Sequence, residues 1–355
     1  MDQLITVNER YTTVVNDMQQ VARVCLTFGL HVHVGIPDRE EAIDIMNQAR
    51  YFLPHLYALS VNSPFWLGQN TGLKAYRQMI FERLPRTGIP DAFQSLSEYE
   101  DYWKLLVATN CIDNPKKIWW DVRLHPFFDT IEFRICDAQS RVDDTIALAA
   151  LMQAIVFKLQ KLRRNNVTFR SYQKRLLDEN RWRAGRYGLD GKLIDFGRKC
   201  EVDERELLEE MLEFVSDEVE ELGNEREIEH IHRIMREGTG ADRQLMVWER
   251  TQDMKAVVDQ IVAETNEGLC RGQILRLSQL AYSDASDASH SESTSCEVYQ
   301  SVYSVSRQLW ECARVLAMRC HAFTVASGTA TCSWKVRARI ARARMRWGQG
   351  NFAGS

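Results

Sequence analysis

Two histidines one residue apart, His31 and His33, and two short segments, Ile118-Trp-Trp-Asp-Val-Arg-Leu-His125 and Thr130-Ile-Glu-Phe-Arg134, carry the side chains that chemistry on phosphates and carboxylates uses. In Leu30-His-Val-His-Val-Gly-Ile36 apolar and polar residues alternate, so a strand would turn Leu30, Val32, Val34 and Ile36 one way and both histidines the other. The other two segments read as a β-hairpin closed by Pro126-Phe-Phe-Asp129. With that loop, His125 lies opposite Thr130, Arg123 opposite Glu132 and Asp121 opposite Arg134. The reverse face holds Ile118, Trp120, Val122, Leu124, Ile131, Phe133 and Ile135, all apolar. One face of the sheet is thus a core face, and the other collects His31, His33, Asp121, Arg123, Glu132 and Arg134.

Two readings of that charged face compete. Cross-strand ion pairs on a solvated surface would contribute about 1 kcal/mol each at most, and a His-x-His pair taken alone is ordinarily a surface pair. Two imidazoles, two carboxylates and two guanidiniums on one face also form a metal-and-phosphate constellation. A carboxylate is a poor electrophile at neutral pH, so joining it to an amine calls for activation, commonly as an acyl phosphate made with ATP. Carboxylates and histidine would hold Mg²⁺ against the phosphate charge, and arginine forks would orient the substrate carboxylate and the transferred phosphoryl. The sequence has no Gly-x-x-x-x-Gly-Lys-Ser/Thr loop and no Gly-rich dinucleotide fingerprint to offer another nucleotide mode. Trp119 and Trp120 read as packing residues. Gly238-Thr-Gly240 fits a helix break capped by Thr239 at least as well as a phosphate contact.

The elements that must position this face follow from patterning. Apolar spacing predicts a helix over 9–28 ending at Gly29, then the His-x-His strand, then a helix over 38–52 opened by the capping box Asp38-Arg-Glu-Glu41. Pro and Gly mark 62–66 and 86–91 as loops, with a helix over 73–81 between them. Ser97-Glu-Tyr-Glu100 reads as a second capping box, for a helix to about 109. From residue 143 the pattern is helical: a long apolar helix over 144–162, a polar one over 172–187, an acidic one over 201–222, then 225–236 and 241–267. A strand-bearing first half and a helical second half predict an α+β fold, an antiparallel sheet with helices on one face. Residues 1–269 form one catalytic domain in this reading, 270–297 a low-complexity disordered linker, and 298–355 a tail that is Arg-rich from 335 to 346.

Bulk properties limit the function classes. A formal charge of −4 at pH 7 gives no reason to expect nucleic acid as a main partner. No segment approaches 18 uninterrupted apolar residues and the first residues lack a signal-peptide pattern, which predicts a soluble cytoplasmic protein that acts on small molecules away from membranes. Nine cysteines at irregular spacings contain no C-x-x-C pair, so neither a zinc ribbon nor a disulfide framework is indicated.

The succession His31-Val-His-Val-Gly35, Ala58-Leu-Ser-Val-Asn-Ser-Pro-Phe-Trp66, Pro85-Arg-Thr-Gly-Ile-Pro90, Ile118-Trp-Trp-Asp-Val-Arg123, Thr130-Ile-Glu-Phe-Arg134, Asn180-Arg-Trp-Arg-Ala184, Arg186-Tyr-Gly-Leu-Asp190 and Gly238-Thr-Gly-Ala-Asp-Arg-Gln244 resembles the glutamate-cysteine ligase type 2 (carboxylate-amine ligase) family, in order and spacing, over about residues 8–269. The resemblance places the chain in the glutamine synthetase-like superfamily and implies an antiparallel sheet forming an ATP-and-metal funnel. It implies ATP-dependent joining of glutamate to an amine, ordinarily cysteine, giving γ-glutamylcysteine for glutathione biosynthesis. Mg²⁺ or Mn²⁺ would serve as the metal, and a homo-oligomer is compatible with it. By analogy His31 and Glu132 are metal ligands and His33 a phosphate or nucleotide contact. Arg134 steadies the transferred phosphoryl, Asp121 and Arg123 stand beside it at the reacting face, and Arg77 and Arg86 are further phosphate or substrate anchors.

The family's Gly-x-Glu-Glu-Glu strand, a further Glu-bearing strand and a Gly-Thr-His-Pro segment have no counterpart in the sequence. The expectation is a chain short of its front strands, with impaired catalysis. The alternative is a non-catalytic remnant or nucleotide-binding homologue of the same fold. Metal-dependent hydrolysis ranks below both, since no third histidine or activating base is identifiable.

Overall fold

A computed structural model describes residues 9–25 and 27–267, so the expected linker and tail lie outside the described residues. The predicted first helix is two, α1 (Glu9–Met18) and α2 (Gln20–Arg23), separated by Gln19 at φ 49°. Gly29 does not end it. That glycine instead bridges to Asp137, and a Cβ there would stand 2.8 Å from the Arg77 guanidinium carbon. After β1 (Val32–Gly35), the Asp38 carboxylate accepts from the amides of Glu40 and Glu41 and opens α3 (Arg39–Ala49) as the sequence predicts.

A single 3₁₀ turn then leads into α4 (Leu53–Ser60), whose eight residues are all buried. A helix without a polar face has no amphipathic period, which is why patterning does not find it. The loop over 62–66 closes into a small hairpin, β2 (Phe65–Trp66) with β3 (Gln69–Asn70), and the helix predicted from 73 is only α5 (Arg77–Phe81). The cap of α6 (Leu96–Ala108) is Ser95, whose Oγ accepts from the Glu98 amide, rather than Ser97.

The predicted hairpin forms β4 (Val122–Leu124) and β5 (Thr130–Phe133) in the predicted register, Arg123 against Glu132, with His125 N–H donating to Thr130 and Arg134 N–H to Asp121. With β1 on its far side, β5 becomes the centre of a three-stranded antiparallel sheet, His33 facing Glu132. The second half holds α7 (Val142–Arg164), α8 (Lys174–Tyr187), a short hairpin of β6 (Lys192–Asp195) and β7 (Cys200–Asp203), and then α9 (Glu204–Phe214), α10 (Ser216–Leu222), α11 (Glu225–Glu237), α12 (Gly240–Thr251) and α13 (Met254–Thr265). The acidic helix is thus two helices preceded by a strand, and the last one breaks at Gln252, which is left-handed. Thr239 and Asp242 form a complete capping box, which settles Gly238-Thr-Gly240 as a helix start.

The fold is α+β with helices on one face of the main sheet, as expected. Val32, Val122, Leu124, Ile131 and Phe133 are buried on that face, against α3 and α7. Asp144, in the first turn of α7, binds His230 of α11 at 2.7 Å and Arg243 of α12 at 3.0 Å, and Arg243 reaches Glu264 of α13 at 2.8 Å. Behind the sheet, α4 and α8 pack so closely that a Cβ on Gly185 would lie 2.8 Å from the Tyr57 ring, while its carbonyl accepts from Lys74 and Ala75. Ordinarily Gly→Ala in a helix stabilises by about 1 kcal/mol; here Gly185→Ala should destabilise by about 1–3 kcal/mol through overpacking, read as a lower denaturant midpoint, and a raised midpoint would show that α4 and α8 can separate freely.

Candidate active-site face

Strand alternation places His33 (β1), Thr130 and Glu132 (β5) and Arg123 (β4) on the face opposite the core, with His31, His125 and Arg134 immediately beyond the strand ends. Glu132 is its centre and is only 2% exposed. One carboxylate oxygen receives Arg123 Nε at 2.8 Å, and the other receives Arg134 Nη1. His31 Nδ1 lies 3.4 Å and His33 Nε2 3.8 Å from that second oxygen. Arg123 Nη1 also donates to the carbonyls of Lys116 and Ile118, so the guanidinium fixes the approach to β4 as well as the carboxylate.

These contacts set the protonation states. Burial alone would raise the Glu132 pKa, but Arg134 and Arg123, with His31 and His33, hold it well below the usual carboxylate range. Burial, aided by Arg134, lowers the His31 pKa well below 6.5, and burial with Arg123 and Arg134 lowers that of His33. His125 is pushed down to about 3 by burial, with Arg123 and His33 adding to the effect and Glu132 opposing it. Its Nδ1 accepts from the amides of Phe127 and Phe128 at 3.3 and 3.0 Å, so a neutral ring holds the hairpin tip in place. With the imidazoles neutral, two guanidiniums against one carboxylate leave the face with a net positive charge.

That arrangement fits an anion and does not fit a divalent cation. Arg134 Nη1 occupies the Glu132 oxygen and also stands 3.3 Å from His31 Nδ1, the two donors expected to hold a metal. Among the described residues no group of three or more His, Cys, Asp or Glu is placed to bind one. Arg134 keeps 11% side-chain exposure, and its buried Nε has no hydrogen-bond partner. Of the two guanidiniums on the face it is the more exposed.

Asp121, Arg77 and Arg86 do not join the face. Asp121 is paired along the backbone with Arg134, but its carboxylate turns inward to Arg181 Nε at 2.7 Å, and burial lifts its pKa to about 7. Arg77 binds Asp137 at 2.8 Å and the carbonyls of Arg134, Ile135 and Cys136, anchoring the chain just past β5. Arg86 donates to the Lys117 carbonyl and lies over the Trp119 ring. Sequence reasoning passed over the hairpin tip itself. Phe127 and Phe128 are 60% and 38% exposed, and two adjacent aromatics in a loop were the signal.

The profile of glutamate-cysteine ligase family 2 matches residues 2–264. An inferred glutamate–cysteine ligase 2 of Solibacter usitatus is 59% identical over 268 residues, which span 76% of this chain and 70% of that protein. The like-named protein of Roseiflexus castenholzii is 55% identical over 269 residues, 76% of this chain and 71% of the other. A crystal structure of a glutamate–cysteine ligase from Francisella tularensis in complex with AMP aligns with a TM-score of 0.45 at 10% identity, over 88% of this chain and 71% of that one, too slight a likeness to carry an argument. Among the described residues no helix is long and apolar enough to cross a membrane.

The depressed His125 pKa gives a signed prediction. Below about 6.5 the unfolded chain protonates this histidine while the folded chain does not until about pH 3, so the contribution of neutral His125 is complete above 6.5 and is lost as pH falls towards 3. His125→Ala should destabilise the protein at pH 7.5, because the two amide caps are lost. The gap to wild type should shrink by about 2 kcal/mol at pH 5. Denaturant melts at the two pH values measure it, and a gap that stays constant contradicts the assigned protonation state.

Proposed function

The chain belongs to glutamate-cysteine ligase family 2, and from that membership we propose that it joins the side-chain carboxylate of glutamate to an amine, cysteine by preference, at the expense of ATP. A glutamate carboxylate oxygen attacks the γ-phosphorus as the bond to the bridging oxygen breaks, and ADP leaves with that electron pair. The amine then attacks the acyl carbon, phosphate departs, and the nitrogen gives up a proton. Each step moves negative charge between oxygens, so preorganised positive charge is the catalytic need.

The observation that carries this reading is the partly exposed Arg134 guanidinium on a face of net positive charge. Arg134 would bind the transferred phosphoryl and then the acyl phosphate. Glu132 would position Arg134 and Arg123, and His33 would contact the phosphates from the neighbouring strand. No step is assigned to a metal held by His31 and Glu132, because Arg134 already fills that place; magnesium enters as part of the nucleotide substrate. The same ion pair favours a second reading, a nucleotide-binding homologue without turnover.

Magnesium-ATP, glutamate and cysteine should together give ADP and γ-glutamylcysteine in equal amounts, with ADP release dependent on both amino acids. Arg134→Ala should lower kcat about 100-fold or more. ATP binding with no ADP release under these conditions would replace the ligase with the second reading.

A further inference from the structure

The hairpin tip over 126–129 stands at the rim of the anion-binding face and carries two exposed rings that folding does not use. Single exposed apolar residues need no explanation, but adjacent aromatic rings beside a charged site form a patch. Phe128 is stacked on His125, the ring centroids 4.4 Å apart and the planes 10° from parallel, and meets His33 edge-on at 6.4 Å. His125 in turn meets His33 at 5.3 Å. The three rings make a continuous aromatic run from the loop to the strand that borders Glu132 and Arg134. Phe127 lies beside it, with Lys116 Nζ 4.6 Å from its ring centroid. The amide bonds from Phe127 and Phe128 to His125 Nδ1 hold the run in place.

We propose that Phe128, flanked by Phe127, is the surface on which the base of the nucleotide stacks. This rests on the ligase reading, in which an ATP whose phosphates reach Arg134 must put its base somewhere along the same face. An aromatic ring with 38% of its residue surface open, one ring removed from the phosphate side, supplies it. Lys116 adds positive charge at the rim, where the phosphate tail passes. Stacking tolerates any base because every base has a π face, so the platform gives affinity for a nucleotide over a bare phosphate chain rather than choice among bases.

Calorimetric titration of the full chain with ATP and with inorganic tripolyphosphate, both as magnesium complexes, tests the assignment. Wild type should bind ATP more tightly than tripolyphosphate. Phe128→Ala should weaken ATP about tenfold and leave tripolyphosphate unchanged, with Phe128→Trp restoring the preference. A far-UV circular dichroism spectrum like that of wild type shows that the alanine variant is folded. If the preference survives Phe128→Ala and the Phe127→Ala/Phe128→Ala double variant, or if wild type binds both ligands equally, the platform is wrong and the ligase reading stands. If neither ligand binds, both are overturned.

Discussion

A carboxylate that is 2% exposed cannot remain ionised without compensation, and the candidate site is organised around how Glu132 obtains it. The sheet supplies one guanidinium from β4 through strict cross-strand pairing and a second from Arg134, immediately past the end of β5. Removing either would leave a buried charge half compensated, which costs more than the pair itself contributes. The neutrality of His31 and His33 follows in part from the same arrangement, since positive charge on Arg123 and Arg134 disfavours a further proton nearby. One buried carboxylate thus gathers the two guanidiniums that give the face its charge.

A second buried layer keeps that face still. Arg77 draws together Asp137 and three successive carbonyls just past β5, and Arg181 reaches from α8 to Asp121 at the entrance to β4. The two arginines therefore hold both strands at the open end of the hairpin, where Arg134 N–H donates to the Asp121 carbonyl, while Arg123 and Arg134 act on the charged face. The close fit of Gly29 against Arg77 belongs to the same clamp, because any side chain at residue 29 would displace the guanidinium. Arg77 and Arg181 come from helices and are taken up by buried partners behind the strands, whereas Arg123 and Arg134 share the one carboxylate of Glu132.

The parts legible in the sequence were those where one face is buried and the other is not. Alternation in Leu30–Ile36 and in the hairpin gave the strands and the pairing of Arg123 with Glu132, because a slip of one residue would have put the charges into the core. Patterning failed where burial is uniform, as in α4, or where a local hydrogen bond decides, as with Ser95 rather than Ser97 and the left-handed Gln252. The short hairpin β6–β7 escapes the pattern as well, β6 falling between the expected helices and most of β7 inside the acidic one, since four residues per strand leave little period to detect. The direction of a side chain past the end of a strand was not legible either, and Asp121 is the case: its backbone register was right and its side chain turned to a partner, Arg181, distant in sequence.

The position of Arg134 decides what the face can hold. A guanidinium and a divalent cation are alternatives at one carboxylate oxygen, because each needs the same lone pairs and the two charges repel. With Arg134 on Glu132 the face carries net positive charge and a partly exposed guanidinium, which suits phosphoryl and carboxylate oxygens. The two-residue spacing of Glu132 and Arg134 therefore sets the sign of the charge the face presents, because the arginine that compensates the buried carboxylate also occupies the oxygen a cation would need.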